Sequence, residues 1–323
     1  MGRSTTIAAA RREVLHTSRL QHRRQAGSLS SRLVTPRTLV YFNNACKWFF
    51  LLLQSWQLSI SDDVSPLEEN ICDVIEFAWE TGDHRGRIGN LLSGLEHHCT
   101  FLRGNLRSCW RLWRVWGNSE IPCRAPPLTV EATMGMAGYM WMWGFRSAAV
   151  LTCLGFHCFL RSMEFMGIQC KQFTFSLNGQ RCHIALPRTK GTSRHGGVEG
   201  VNVKDPILVK LLRLFTAQRQ PGDFILDLTP ADYRTVFAAA GQAIDLPSTI
   251  KPYSLRRGGA TWHFRMHGSI SLTMEIRRWK NQQTARTYVN TALMELTEMS
   301  FLNTPLVADA CGYFAAILVR FSE

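Results

Sequence analysis

Lys251-Pro-Tyr253-Ser-Leu-Arg256-Arg257-Gly258-Gly259-Ala-Thr261, then Arg277-Arg278-Trp279-Lys280, then Thr284-Ala-Arg286-Thr-Tyr288: these three runs near the carboxyl end carry the densest chemistry of the sequence. Arginine presents a planar fork of N–H donors that matches two phosphate oxygens at once, and the Trp279 indole adds one more N–H. Tyr288 stands a short turn beyond. A phenol is a weak nucleophile at its ordinary pKa of about 10, so nearby cations are needed to favour the phenolate and a crowded, negatively charged phosphorus. The set matches what attack on a phosphodiester requires when no metal takes part.

The charge of the whole chain has the same bias. Lys and Arg number 37 against 24 Asp and Glu, a net +13. Residues 251–290 hold eight basic side chains and one acid, Glu275, and residues 1–37 hold eight Arg and one acid, Glu13. The remainder of the chain sums to −1. Two basic segments on a neutral body suit a polyphosphate partner, because each neutralised phosphate releases counterions. An anionic membrane surface, an acidic protein or simple solubility fit the same charge.

Composition excludes other classes. With 46% hydrophobic residues, 18 Phe and 10 Trp in 323 residues there is ample material for a core, so neither a disordered chain nor a small disulfide knot fits. Ten Cys without a C-x-x-C pair, scattered through apolar stretches, are expected as free thiols of a reducing compartment. His263 and His267 have the i, i+4 spacing of a metal-ligand pair, but no Cys pair or H-E-x-x-H pattern joins them, so no metal site is expected.

Residues 1–36, rich in Arg and Ser and without an apolar period, are expected as a basic flexible arm: a DNA-grazing tail, an organellar transit peptide or a solvated leader. From there on Tyr41, Ala45, Trp48, Phe49, Leu52 and Trp56 share one helical face. Further helices are expected over 67–80, 86–104 and 105–117, making a bundle at 37–121. Pro122, Pro126 and Pro127 end it, so 122–128 reads as a Pro-rich linker and 129–323 as a second domain. In that domain the run 134–160 is almost wholly apolar and long enough for a membrane span, but Arg146 and its Gly and Ser neighbours favour two buried helices parted at 144–147. The runs 173–177 and 182–186 around Asn178-Gly179 read as a hairpin with a tight type I′ turn, and 198–203 as a third strand. Helices are then expected over 205–218, 230–244 with Thr229 as cap, 254–267, 270–280, 284–298 and 304–320. The fold class is mainly α (α+β), a helical bundle followed by a mixed domain with a small antiparallel three-stranded sheet.

Two more residues stand out. Arg161 follows the nearly uncharged run 151–160 and precedes Glu164 by one helical turn, so its permanent charge needs a carboxylate or a phosphate; an ordinary structural ion pair meets the same need. Lys190 lies in the polar loop between the second and third strands, flanked by Arg188 and Arg194, either simply solvated or a mobile proton donor.

Taken in order, these elements resemble the catalytic signature of the tyrosine recombinases, the phage integrase family: Arg161 with Glu164, the hairpin Lys190, Tyr253 to Thr261, Arg278-Trp279-Lys280 and Thr284 to Tyr288, with 23 residues from Arg256 to Trp279 and nine from there to Tyr288. The likeness covers about residues 129–298, and the bundle at 37–121 is similar in kind to that family's core-binding domain. It implies a DNA breaking-rejoining enzyme fold and site-specific strand exchange. By that resemblance Arg161 and Arg256 would clamp the non-bridging oxygens of the scissile phosphate, and Trp279 would donate its indole N–H to the same group. Lys190 would protonate the departing 5′-oxygen, and Glu164 would support the site through Arg161. Tyr288 would attack and form a 3′-phosphotyrosine bond, with no metal and no cofactor. Arg257, Arg278, Lys280 and Arg286 are the expected DNA contacts.

One position departs from the family. Tyr253 stands where His or Lys is usual in the H-x-x-R element, and a phenol donates a hydrogen bond but accepts a proton poorly at neutral pH. A catalytically degenerate DNA-binding remnant of a mobile element is therefore one alternative, and a type IB topoisomerase-like enzyme is another. The implied partner is double-stranded DNA, bound by a homo-tetramer, with the apolar run 306–321 packing on a neighbour or on its own domain. No membrane partner is expected. The expected address is nuclear in a eukaryote and cytoplasmic otherwise.

Overall fold

Thr35 accepts a hydrogen bond from the Thr38 amide, and Pro36 fills the first helical position, where a missing N–H costs nothing; α1 (Pro36–Ser55) starts there. The computed structural model describes residues 16–21, 23–24, 28–30, 33–60, 63–120, 124–186, 199–277, 283, 285, 289–301 and 305–320. The chain divides into two units, Met1–Cys123 and Arg124–Glu323. In the first, α1 turns Phe42, Ala45, Cys46, Phe49 and Leu53 to one side. The same is done by α2 (Val64–Glu80) with Leu67, Ile71, Val74, Ile75 and Ala78, by α3 (Arg85–His98) with Ile88, Leu91, Leu92 and Leu95, and by α4 (Arg107–Ser119) with Cys109 and Trp116. These stripes meet in one core. The helix expected over 86–104 is shorter. It ends at His98, a 3₁₀ turn takes Thr100–Leu102, and Gly104 sits at φ +82°, which an α-helix cannot continue through. Of the expected arm, 16–21 is helical and most of the rest lies outside the described residues.

In the second unit the apolar run 134–160 is two helices. α5 (Val130–Met142), capped by Thr129 through the Ala132 amide, has 13 residues and α6 (Arg146–His157) has 12, and Gly144 at φ +86° turns the chain between them. At 1.5 Å per residue each reaches about 20 Å, short of the roughly 30 Å of a bilayer's hydrocarbon core. Among the described residues no helix is long and apolar enough to cross a membrane. Arg146, expected within the break, instead opens α6 with its guanidinium 5.7 Å from the centre of the Trp141 ring.

After α7 (Ser162–Met166), the strands β1 (Phe173–Phe175), β2 (Cys182–Ala185) and β3 (Gly200–Val203) form an antiparallel sheet in the order β1-β2-β3, with Phe175 opposite Cys182 and Ile184 opposite Val201. Cys182, Ile184, Val201 and Val203 face the core, while His183 and Asn202 bond each other at 2.8 Å on the other face. The first turn is not type I′. That turn needs positive φ at both central residues, and here Gly179 has it (+68°) but Asn178 does not. The Ser176 amide instead donates to the Arg181 carbonyl around residues 177–180, and Asn178 acts through its side chain, whose Oδ1 accepts from the Ser176 hydroxyl and the Gln180 amide.

The remaining helices follow their caps. Asp205 and Thr229 each accept an amide hydrogen bond and are each followed by Pro, opening α8 (Pro206–Ala217) and α9 (Pro230–Gln242). α10 (Pro252–His267) starts earlier than the expected 254, because Pro252 fits a first turn and the Lys251 amide finds the Ser254 hydroxyl. α11 (Ile270–Arg277), α12 (Thr291–Phe301) and α13 (Pro305–Arg320) complete the unit. α13 lies on α5 of its own unit. A Cβ on Gly138 would come 2.6 Å from the Ala310 carbonyl oxygen, and the Cys311 thiol donates to the Glu131 carbonyl. Inside the core the Tyr233 and Thr152 hydroxyls bond at 2.8 Å, and burial pushes the Tyr233 phenol well above its ordinary value.

Replacing the α9 cap, Thr229→Ala, is expected to cost about 1 kcal/mol in chemical denaturation, whereas Thr229→Ser, which keeps the hydroxyl, stays near the parent.

Candidate active site

The run Arg256-Arg257-Gly258-Gly259 occupies a full turn of α10, and its four residues face four directions. All are buried. The glycines allow the helix to be approached by backbone on two sides: a Cβ on Gly258 would lie 2.0 Å from the Leu128 carbonyl oxygen, and one on Gly259 would lie 2.0 Å from that of Phe156. The segment around Leu128, expected to belong to a linker, therefore packs into the second unit, and its amide bonds the Ser254 carbonyl.

Arg257, expected among the DNA contacts, is turned inward. Its Nη1 donates to the Ala125 carbonyl at 2.8 Å, and only 4% of the residue is exposed. An arginine adjacent to Arg256 on a helix points about 100° away from it, and here that direction leads to the 124–128 segment and not to the surface.

Arg256 is wholly enclosed, and its Nη1 donates to the Phe159 carbonyl at 2.5 Å. Phe159 follows α6 in the left-handed region, φ +53°, a conformation a bulky side chain seldom adopts. Two residues later Arg161 caps α7. Glu164 folds back onto it: one carboxylate oxygen accepts from the Arg161 amide at 2.9 Å and the other from Arg161 Nη1 at 2.5 Å. The Glu164 Oε2 atom lies 4.0 Å from Arg256 Nη1. One buried carboxylate thus holds two arginines that are far apart in sequence. Arg161 keeps 41% of its side chain exposed, so one guanidinium of the pair faces solvent. Two guanidinium charges against one carboxylate leave an excess of one positive charge, which suits an anion such as phosphate.

Tyr253 lies on the first turn of α10, one turn before Arg256, and is 38% exposed. Lys190, Trp279 and Tyr288 lie outside the described residues, as do Arg278, Lys280 and Arg286. The chain to either side of Tyr288 is tied to α10: Ala285 packs against Ala260, and the Asn290 amide donates to the Thr261 hydroxyl at 3.3 Å. Buried His263 bonds the Thr273 hydroxyl through Nδ1, and among the described residues no cluster of His, Cys, Asp or Glu is placed to hold a metal ion. A cavity of about 260 Å³ between Cys153, Phe156, His157, Asp205 and Trp262 is lined by none of Arg161, Glu164 and Arg256; burial lowers the pKa of its His157.

The first unit adds a feature that the segment charges concealed. Arg107, Arg111 and Arg114 recur at helical spacing on the exposed side of α4, opposite buried Cys109 and Trp116. Arg85, the first residue of α3, stacks on Trp113 of α4 at 3.7 Å. The spacing is readable in the sequence, but the acids of α2 cancel these charges in a sum over the segment.

No protein-family model matches the chain, and no curated protein matches it in sequence. Solved structures do. The Tn1549 transposon integrase in complex with transposon right-end DNA aligns with a TM-score of 0.59 at 13% identity, over 84% of this chain and 95% of that one. This is the tyrosine recombinase fold. The same integrase in complex with a circular-intermediate DNA aligns at 0.55 and 15% identity, over 88% of this chain and 98% of that one. The lambda integrase dimer bound to a COC′ core site aligns at 0.52 and 12% identity, over 81% and 74%. The tyrosine recombinase fold is mostly helical with a small three-stranded antiparallel sheet, as expected from the sequence.

Gly259→Ala is expected to lose about 3 kcal/mol or more in thermal or chemical unfolding, because backbone atoms block the new methyl. Gly222→Ala, with open space around it, is expected to stay within about 0.5 kcal/mol. Glu164→Ala is expected to lose about 3 kcal/mol, chiefly through buried Arg256, since Arg161 can turn to water.

Proposed function

We propose that this chain is a site-specific DNA recombinase or integrase that cleaves and rejoins double-stranded DNA through a 3′-phosphotyrosine bond. The observation that carries the reading is the shared carboxylate: Glu164 gathers Arg161 and Arg256, the two residues assigned to the scissile phosphate, which stand 95 positions apart in the chain. The fold and the order of the remaining site residues support it. In this reading the Tyr288 oxygen attacks phosphorus while Arg161 and Arg256 hold the non-bridging oxygens and Trp279 donates to the same group. Lys190 gives its proton to the 5′-oxygen as that bond breaks. The energy of the phosphodiester is kept in the tyrosyl ester, so rejoining needs no nucleotide.

Domain roles follow. Residues 37–121 serve as the core-binding domain and 129–323 as the catalytic domain, and Arg107, Arg111 and Arg114 on α4 join Arg278, Lys280 and Arg286 as phosphate contacts. The neighbours that are themselves bound to DNA support that partner. Strand exchange between two duplexes would use four copies of the chain. Tyr253 favours a second reading, a DNA-binding remnant without strand cleavage, because the proton leaving Tyr288 has a poor acceptor there.

A suicide substrate nicked near the bound site separates the two. The parent protein is expected to form a covalent protein–DNA adduct and Tyr288→Phe none, while Arg161→Lys lowers the rate of adduct formation by about 100-fold or more. Binding of DNA by the parent without any adduct would select the remnant. Relaxation of plasmid with no recombinant product would select a topoisomerase.

A further inference from the structure

Two thiols of the first unit touch. Cys72 on α2 and Cys109 on α4 place their sulfur atoms 3.6 Å apart, each on a different helix of the same core. Both are free thiols. Sulfur atoms in van der Waals contact across two packed helices need to close by only about 1.5 Å to reach the 2.05 Å of a disulfide. We propose that Cys72 and Cys109 are a dithiol modification site, closed to a disulfide by a low-molecular-weight disulfide oxidant and opened again by thiols.

The two sulfurs have unequal access, and this sets the order of events. Cys109 is fully buried, with its thiol also directed at the Glu68 carbonyl, while Cys72 is partly open. Cys72 loses its proton and attacks one sulfur of the small disulfide, forming a mixed disulfide and releasing one small thiolate. Cys109 then loses its proton and attacks the Cys72 sulfur, releasing the second. The protein gives up two protons and two electrons, and the oxidant takes them up to become two small thiols. Burial raises the pKa of both thiols, so little thiolate is present at neutral pH and closure is slow.

The surroundings also select the oxidant. Glu68, Asp73 and Glu76 lie around Cys72 and repel an anionic disulfide while attracting a cationic one. The link would close a loop from residue 72 to residue 109 that contains all of α3, and it would fasten α4, with its arginine stripe, to α2. In a reducing compartment the pair stays open.

The test uses the full chain and cystamine, a cationic disulfide, followed by alkylation, proteolysis and peptide mass analysis. The expected product is one peptide pair joined through Cys72 and Cys109 with the loss of two hydrogens, together with a rise in the melting temperature of the first unit of roughly 5 °C or more, reversed by dithiothreitol. Cys109→Ala is expected to stop at a cysteamine adduct on Cys72. The same treatment in guanidinium, where the contact no longer exists, is expected to lose the preference for this pair. The proposal is overturned if the folded parent keeps a cysteamine adduct on Cys72, or if Cys72 and Cys109 peptides remain unlinked while other cysteines pair.

Discussion

A buried guanidinium must have a partner, and in this protein the carboxylate beside the enclosed Arg256 also holds the partly exposed Arg161. Glu164 caps the short helix α7 on Arg161 and lies within ion-pair range of Arg256. The cluster exists only because the chain can bring α10 against the end of α6, and that approach depends on Gly259, whose missing side chain makes room for the Phe156 carbonyl, while Gly258 does the same for the Leu128 carbonyl on another side. The left-handed turn at Phe159 finishes the arrangement by directing a carbonyl at Arg256. Charge, capping, helix contact and backbone conformation all serve one pair of arginines.

The first unit has a polarity of its own. Its core is built from apolar stripes of four helices, while the outer faces differ in sign: α4 carries Arg107, Arg111 and Arg114, and α2 carries Glu68, Glu69, Asp73, Glu76 and Glu80. A DNA-binding role would use the basic face and keep the acidic one away from phosphate. Phosphate contacts of this kind make binding strongly salt-dependent, with affinity falling because the release of counterions gains less entropy as the salt concentration rises.

Much of this architecture was legible in the chain. Thr35, Thr129, Asp205 and Thr229 each stand before a helix and each accept an amide hydrogen bond at its start, because a short side-chain oxygen competes well for the unpaired N–H groups there. The apolar run 134–160 separates into two helices because Gly144 takes a conformation open to glycine. Sequence and structure part where a single residue type has more than one local use. Asn178 before Gly179 suggests a tight hairpin, yet Asn178 keeps a negative φ and bonds through its side chain instead. Apolar periodicity continues through Phe101 and Leu102 to suggest a helix as far as residue 104, yet the α-helix stops at His98 and those residues form a 3₁₀ turn, which periodicity does not distinguish from α-helix.

Residue types and their order along the chain determined the helix caps, the strand runs and the pairing of Arg161 with Glu164, because each depends on neighbours within a few positions. Only the tertiary structure decided that Arg256 lies beside Glu164 and that Arg257 is buried against Ala125 and not at the DNA surface, since both rest on the rotation of α10 and on contacts from segments about a hundred residues away. The same holds for Cys72 beside Cys109 and for α13 on α5: local sequence specifies a helix face, but what covers that face is set by packing across the whole unit.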